Sequence, residues 1–116
     1  MFQSIRNDNL KSLFELVSLK EKRALITGSA MGIGKAIAYR FAEAGAALEL
    51  VDINEEMLRT VKKELEQNNA EINIHRIDLS KKEEIGELWA RLREKEPDIL
   101  VNNAGDIPFQ EFLRNR

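Results

Sequence analysis

The sequence contains no cysteine, a single histidine and only 2 prolines among its 116 residues. The lack of cysteine excludes disulfides, zinc–thiolate sites and thiol nucleophiles, and it suits a reducing compartment. The few prolines argue against a disordered or collagen-like chain. Aromatic residues make up only 6% of the sequence, but apolar residues reach 43%, which is enough for one hydrophobic core. We therefore expect one compact domain.

Neither sign of charge dominates, because 18 Lys and Arg stand against 20 Asp and Glu, a formal net charge of -2. No basic block is present, so nucleic acid is not an expected partner. The apolar runs are shorter than a membrane span, and the amino-terminal residues show no signal-peptide core. We expect a cytoplasmic protein without a membrane partner.

What the chain does contain is a regular alternation of short apolar runs with stretches of helical period. The predicted strands cover residues 23–27, 47–51, 71–77 and 98–101. Helices are predicted over residues 35–44, after a cap at Asn54, and after a capping box of Ser80 and Glu83. Because parallel neighbours need long right-handed crossovers, the pattern predicts an α/β fold, a parallel sheet with helices on both faces.

Three of the 6 glycines fall within TGSAMGIG, residues 27–34, between the first predicted strand and helix. In such a turn the backbone N–H groups and the positive end of the helix can approach a pyrophosphate, because no Cβ stands in the way. The alternative is a tight turn that needs glycine only for its dihedral angles. Such a turn would hardly require three glycines at this spacing, so phosphate binding is the favoured interpretation.

Asp52 ends the second predicted strand, 18 residues beyond Gly34. At that place a carboxylate can accept hydrogen bonds from both hydroxyls of an adenosine ribose. The 2′-phosphate of NADP would meet like-charge repulsion there, and no Lys or Arg in the loop or directly after Asp52 relieves it. Asp52 therefore favours NAD, the alternative being a solvated carboxylate that caps the next helix.

Taken together, these residues resemble the classical short-chain dehydrogenases/reductases. TGSAMGIG is similar to the TGxxxGxG loop of that family, Asp52 to its NAD-selecting acid, and Asp78-Leu79 to its adenine-side pair. The DILVNNAG sequence of residues 98–105 is similar to the segment that carries the family's fourth strand. The resemblance covers residues 19–105 and departs at Asp106, where the family usually has an apolar residue.

The resemblance implies an oxidoreductase that transfers a hydride between nicotinamide and an alcohol or carbonyl, with NAD favoured over NADP. It also implies a Rossmann-like three-layer fold with strand order 3-2-1-4, a doubly wound fold truncated after its fourth strand. Asn102 is expected to brace the central sheet. The implied cofactor-binding residues are Gly28, Ser29, Met31, Gly32, Ile33, Gly34, Asp52, Ile53, Asp78, Leu79, Asn103, Ala104 and Gly105.

The family's catalytic YxxxK pattern does not occur in the sequence. The single tyrosine is Tyr39, and position 43 is a glutamate where the pattern needs lysine. We predict no catalytic or metal-binding residue and expect this chain to lack turnover, its alcohol or carbonyl substrate being handled only by a full-length enzyme. One alternative is a non-catalytic dinucleotide-binding or assembly module from a truncated gene or fragment. Another is a methyltransferase-type Rossmann domain, which the TGxxxGxG spacing and NNAG disfavour.

Residues 1–18 are expected to form an amino-terminal helical extension, and residues 19–116 a partial dinucleotide-binding domain. Leu10, Leu13, Phe14 and Val17 recur at helical spacing in the extension, which indicates a packing helix. A membrane-surface or partner-binding helix is the alternative, although its flanking charges are mixed.

The fourth strand lacks a fifth strand beside it in this sequence, so residues 98–102 are expected to present an unpaired edge. We predict a homodimer in which two such edges meet antiparallel. In the alternative, the extension or the last ten residues fold over the edge and the chain remains monomeric.

Overall fold

The computed structural model describes residues 18–67, 69–104 and 109–114. In that part of the chain the elements are β1 (Arg23–Thr27), α1 (Gly32–Glu43), β2 (Ala47–Asp52), α2 (Glu55–Glu66), β3 (Ile72–Arg76), α3 (Lys82–Arg91), β4 (Ile99–Val101) and α4 (Phe109–Arg114). The expected amino-terminal helix lies outside the described residues, as do Gly105 and Asp106.

The four strands form one parallel sheet in the order β3-β2-β1-β4. Two separate apolar clusters cover its faces. The first packs α1 and α2 against alternate residues of β1 and β2, such as Ile26 and Leu50, and the second packs α3 and α4 against the other face at Leu25 and Val51. The predicted α/β fold, its strand order and its helices on both faces are therefore confirmed.

Local sequence explains how the elements begin and end. The Asn54 side chain accepts a hydrogen bond from the backbone N–H of Met57 at 3.1 Å, which caps α2 as predicted. Gly45 follows α1 with a φ of 98°, a conformation that glycine adopts without strain. Buried Ala38 and Ala42 bring α1 close to the sheet because their side chains are small.

Predicted and observed strand bounds differ by at most one residue, and two helices begin elsewhere than predicted. α1 begins at Gly32, inside the glycine-rich turn rather than after it. The predicted capping box is wrong, because Lys81 occupies the N-cap position of α3 and makes no side-chain capping bond. Ser80 instead donates both its hydroxyl and its backbone N–H to Oδ1 of Asp78, at 2.6 and 3.0 Å, so the N–H that Glu83 would accept in a capping box is already bonded.

A polar network interrupts the second apolar face, and its centre is the carboxylate of Glu49, which is only 2% exposed. Arg23 and Asn73 donate to its Oε2, and Nε2 of His75 lies 2.8 Å from its Oε1. Arg23 also reaches Glu71 at 2.8 Å. Burial alone would raise the pKa of Glu49, but the hydrogen bonds from His75, Asn73 and Arg23 outweigh burial and hold that pKa below its ordinary value of 4.5.

We predict that Glu49→Gln lowers the free energy of unfolding at neutral pH by about 2–4 kcal/mol, because Arg23 then loses a buried charged partner. Because the pKa of Glu49 is lowered in the folded state, its charged form stabilises the fold at pH values above the unfolded-state pKa. This stabilisation is lost as the pH falls and the carboxylate becomes protonated. The unmodified chain should therefore lose stability between about pH 5 and about pH 3, and the variant should lack this component. Urea unfolding across that range measures both effects.

The matched control is Glu64→Gln, an exposed carboxylate 4.0 Å from Nζ of Lys35. Its effect on unfolding should stay below about 1 kcal/mol. If the unmodified chain and Glu49→Gln lost the same amount of unfolding free energy as the pH falls, the role assigned to Glu49 would be contradicted.

Candidate functional site

All four strands are parallel, so their carboxyl ends meet at one edge of the sheet. The segments that follow β1, β2, β3 and β4 begin at Gly28, Ile53, Ile77 and Asn102. Together with Asp52, the last residue of β2, they contain every predicted cofactor-binding residue except Gly105, which lies outside the described part of the chain. This edge, called the carboxyl edge below, is the candidate site.

The loop after β1 needs its glycines for space as well as for conformation. A Cβ at Gly34 would lie 2.0 Å from the carbonyl oxygen of Gly28 and 2.8 Å from Nδ2 of Asn103. Gly28 has a φ of 64°, and a Cβ there would meet the same Asn103 amide at 3.2 Å. Gly32 needs glycine for its φ of 61° alone, because a Cβ there would meet open space. The loop therefore folds tightly onto the end of β4.

The amino terminus of α1 opens at the carboxyl edge without a side-chain cap. Met31 precedes the helix in an extended conformation and makes no capping bond, and the first turn contains no acidic residue. The first N–H groups and the positive end of the helix dipole are thus left to an external anion. α2, in contrast, is capped by Asn54 and begins with Glu55 and Glu56. Of these two helices, α1 is the one suited to phosphate.

Three large apolar side chains lie exposed at this edge. Met31 is 60% exposed, Ile33 71% and Ile53 55%. The first two flank the open helix terminus, and the third follows β2. Such side chains can pack against the apolar faces of a nucleotide.

Asp52 ends β2, and its carboxylate is held by backbone groups on two sides. Oδ2 accepts a hydrogen bond from the N–H of Ala30 at 3.1 Å, and Oδ1 accepts from the N–H of Asn54 at 3.0 Å. Because each carboxylate oxygen can accept more than one hydrogen bond, capacity remains for hydroxyl donors. The two backbone contacts fix the direction of the side chain and couple it to the glycine loop.

Ser29 is fully buried, and its hydroxyl donates to the carbonyl oxygen of Val51 at 3.3 Å. Its backbone N–H donates to the same oxygen, with a nitrogen–oxygen distance of 3.2 Å. Both contacts tie the glycine loop to the end of β2.

Thr27, which was not among the predicted site residues, connects the glycine loop to the segment after β4. Its fully buried hydroxyl oxygen accepts from the N–H groups of Asn103 at 2.9 Å and Ala104 at 3.1 Å. The hydroxyl lies 3.1 Å from Oδ1 of Asn102, to which it can donate. Asn103 in turn donates its side-chain amide to the carbonyl of Gly28 at 3.3 Å. A threonine that ends a buried strand just before a glycine turn was the available sequence signal.

Asp78 and Leu79 lie in the segment that follows β3 and are called the Asp78-Leu79 wall below. Hydrogen bonds from the side chain and the backbone of Ser80 lower the pKa of Asp78. The backbone N–H of Asp78 donates to Oε1 of Glu84 at 2.8 Å. Leu79 is partly buried against the second apolar cluster, so the wall is anchored to the core.

Other features of the described residues lie away from this edge. A cleft of about 560 Å³ opens at the amino ends of the strands, beside Arg23, Ala47, Glu71 and Asp98, and touches none of the predicted site residues. Within residues 18–67, 69–104 and 109–114 no group of three His, Asp or Glu side chains could hold a metal ion. No helix in those ranges is long and apolar enough to cross a membrane.

A family model described as short chain dehydrogenase matches residues 22–115. The chain belongs to the short-chain dehydrogenase family, whose members are oxidoreductases. It is 37% identical to 7alpha-hydroxysteroid dehydrogenase of Escherichia coli, over 98% of this chain and 44% of that protein. It is 39% identical to 3beta-hydroxysteroid dehydrogenase 2 of Eggerthella lenta, over 75% of this chain and 34% of that protein.

Solved structures agree with this assignment. A 7 alpha-hydroxysteroid dehydrogenase complexed with NADH and 7-oxo glycochenodeoxycholic acid matches with a TM-score of 0.73 and 36% identity, over 85% of this chain and 42% of that chain. A short-chain type dehydrogenase/reductase from Mycobacterium marinum matches with a TM-score of 0.75 and 31% identity, over 88% and 45%. The chain thus spans less than half the length of these relatives, and the matched part corresponds to the amino-terminal half of the fold.

We predict that Gly34→Ala lowers the free energy of unfolding by about 2–3 kcal/mol, because its Cβ would collide with the backbone carbonyl of Gly28, which cannot rotate away. The matched control is Gly86→Ala in α3, where a Cβ would meet open space. That change should raise stability by about 0.5–1 kcal/mol, since glycine is a poor helix former. Thermal or urea unfolding of both variants compares them directly, and equal effects would show that the close approach at Gly34 is not needed.

Proposed function

We propose that this chain binds the adenosine and pyrophosphate portion of NAD(H) at the carboxyl edge. The observation that carries the proposal is the combination of an uncapped α1 terminus with the oriented Asp52 carboxylate on the neighbouring strand. The first offers N–H donors to a pyrophosphate, and the second offers acceptors to a ribose. The two groups are coupled, because Ala30 in the loop donates to Asp52.

Each predicted residue has a role in this proposal. Backbone groups of the loop, at Gly28, Ser29, Met31, Gly32, Ile33 and Gly34, surround the pyrophosphate and its adjoining ribose. Asp52 accepts from the adenosine ribose, with Ile53 beside it. Asp78 and Leu79, in the segment after β3, contact adenine. Asn103, Ala104 and Gly105 border the cofactor at the end of β4.

We also propose that NAD is preferred over NADP. Asp52 would repel a 2′-phosphate, and its neighbours within the described residues do little to offset this charge. Arg76 is the cation paired in register with Asp52 across the sheet, but its guanidinium already contacts Ile53 and Glu84. Arg76 would have to give up or share these contacts to bind a 2′-phosphate, which supports the preference for NAD.

The reaction class follows from the family: hydride transfer between nicotinamide and an alcohol or carbonyl. The nicotinamide supplies the hydride or receives it when bound. We propose that this 116-residue chain is catalytically incomplete, because the only tyrosine, Tyr39, lies in α1 and position 43 is a glutamate. Two of the relatives named above are hydroxysteroid dehydrogenases, which supports an alcohol or carbonyl as the substrate class of a complete enzyme. The division into an extension of residues 1–18 and a domain of residues 19–116 belongs to the same proposal.

Turnover by the purified chain tests the catalytic part of the proposal. With NADH and a simple ketone, absorbance at the nicotinamide band should remain constant, because no positioned general acid is expected to protonate the carbonyl oxygen. Steady oxidation of NADH above that of a denatured sample would contradict catalytic incompleteness.

For the cofactor, we predict that Asp52→Ala weakens NAD binding about tenfold and narrows the difference between NAD and NADP, because the ribose loses a charged acceptor and the phosphate loses a repelling charge. Calorimetric titration with both dinucleotides measures the two affinities. The control is Asp98→Ala at the opposite edge of the sheet. Like Asp52, Asp98 accepts a hydrogen bond from a backbone N–H, that of Arg23 at 2.8 Å. Unchanged NAD affinity in Asp52→Ala would refute the ribose role.

For assembly, we propose a homodimer through β4, which pairs with β1 on one side and is the last strand of the described sheet. Its three residues, Ile99, Leu100 and Val101, are only partly buried. A second copy of the same edge would satisfy the outer backbone groups of both strands.

Sedimentation equilibrium of the unmodified chain at micromolar concentration should show a dimer. Leu100→Lys or Val101→Pro should dissociate it, the first by placing charge at the edge and the second by removing an N–H. Ile53→Lys, an equally drastic change at an exposed apolar residue away from β4, should leave the dimer intact. An unmodified chain that stays monomeric would overturn the proposed assembly.

A further inference from the structure

A chain of polar contacts links the segment after β2, which carries Ile53, to the segment after β3, which carries Asp78 and Leu79. It begins at the backbone N–H of Asp78, which donates to Oε1 of Glu84 at 2.8 Å. Nη1 of Arg76 lies 3.6 Å from the same Oε1. Nε of Arg76 donates to the carbonyl oxygen of Ile53 at 3.3 Å. The contacts therefore run from the segment after β3, through two side chains, to the segment after β2.

Glu84 is the fixed member of this chain. Its side chain is 19% exposed although it lies in the first turn of α3. From the sequence alone, a carboxylate in the first turn of a helix is expected to interact favourably with the helix dipole. The structure gives it a further role, because it accepts the N–H of Asp78 and faces the cations of Arg76 and Lys81, at 3.6 and 3.8 Å.

Arg76 spans the gap between the loops. It ends β3 directly across from Asp52 in the parallel register. Its guanidinium uses one nitrogen toward Ile53 and another toward Glu84, a two-armed geometry that a lysine ammonium cannot reproduce. Neither Arg76 nor Glu84 is among the predicted cofactor-binding residues.

We propose that Arg76 and Glu84 are positioning residues that set the spacing between Ile53 and the Asp78-Leu79 wall, and so make the slot between them selective for a purine base. This inference rests on the proposed dinucleotide function. In this proposal Ile53, which is exposed, forms one wall of the base site, and Leu79, which packs against the second apolar cluster, forms the other. If the two walls moved apart, a purine would lose contact with one of them, whereas the pyrophosphate contacts at α1 would remain.

Two variants separate this role from a general charge effect on an anionic ligand. Glu84→Ala removes a negative charge, so electrostatics alone would strengthen the binding of a nucleotide diphosphate. Arg76→Lys keeps the charge, so electrostatics alone would change nothing. Loss of the contact chain predicts that both variants weaken ADP binding by about 3- to 10-fold, because the purine loses part of its contact with one wall.

The experiment is calorimetric or NMR titration of the full 116-residue chain with ADP and with CDP, which share a ribose and a diphosphate but differ in the base. The unmodified chain should bind ADP more tightly than CDP, and both variants should lose most of that preference while CDP affinity changes little. Glu43→Ala and Arg40→Lys are the controls, since they alter an exposed ion pair of the same composition in the last turns of α1.

An unchanged ADP-to-CDP ratio in the two variants would overturn the positioning role while leaving the dinucleotide function standing. Tighter ADP binding by Glu84→Ala would overturn it in favour of simple electrostatics. Absence of ADP binding by the unmodified chain would overturn the dinucleotide function and this inference together. Amide NMR spectra of Arg76→Lys, the milder change at a half-exposed residue, show whether the fold is retained.

Discussion

The close approach of Gly34 to the carbonyl of Gly28 is the constraint on which the site depends. A Cβ at residue 34 would lie 2.0 Å from that carbonyl, so only glycine lets the loop turn back on itself there. The turn starts α1 at the edge of the sheet, directs its uncapped terminus outward and brings the loop against Asn103. Thr27 fixes the same junction through its contacts to Asn103 and Ala104.

The polar groups near the two ends of the strands are organised differently. Toward the amino ends, the carboxylate of Glu49 is buried and satisfied by Arg23, Asn73 and His75, which makes it a structural ion pair rather than a site. At the carboxyl edge, by contrast, the helix terminus of α1 is uncapped and Asp52 retains acceptor capacity. A parallel sheet produces this asymmetry because all its strands end at the same edge, where ligands of open α/β folds bind.

Much of this arrangement could be predicted from the sequence. Alternating apolar runs predicted the strands, their parallel direction and the helices between them, and the glycine spacing predicted a loop that approaches phosphate. The family resemblance predicted the strand order. The partners of individual polar side chains could not be predicted, either within one segment or between strands. Ser80 has the right spacing from Glu83 for a capping box, yet the carboxylate of Asp78 takes its hydroxyl, and Glu84 rather than Glu83 bonds to the loop. The burial of His75 against Glu49 likewise depends on the register of β2 and β3.

The most direct test of dinucleotide binding is an NMR titration of the isotopically labelled chain with NAD. The largest amide shifts should fall on the loop from Gly28 to Gly34, on Asp52 and Ile53, and on Asp78 and Leu79. The amides that line the cleft at the opposite edge, around Ala47 and Glu71, should shift little. Shifts centred on that cleft, or none at millimolar NAD, would contradict the central claim that the carboxyl edge binds the adenosine half of a dinucleotide.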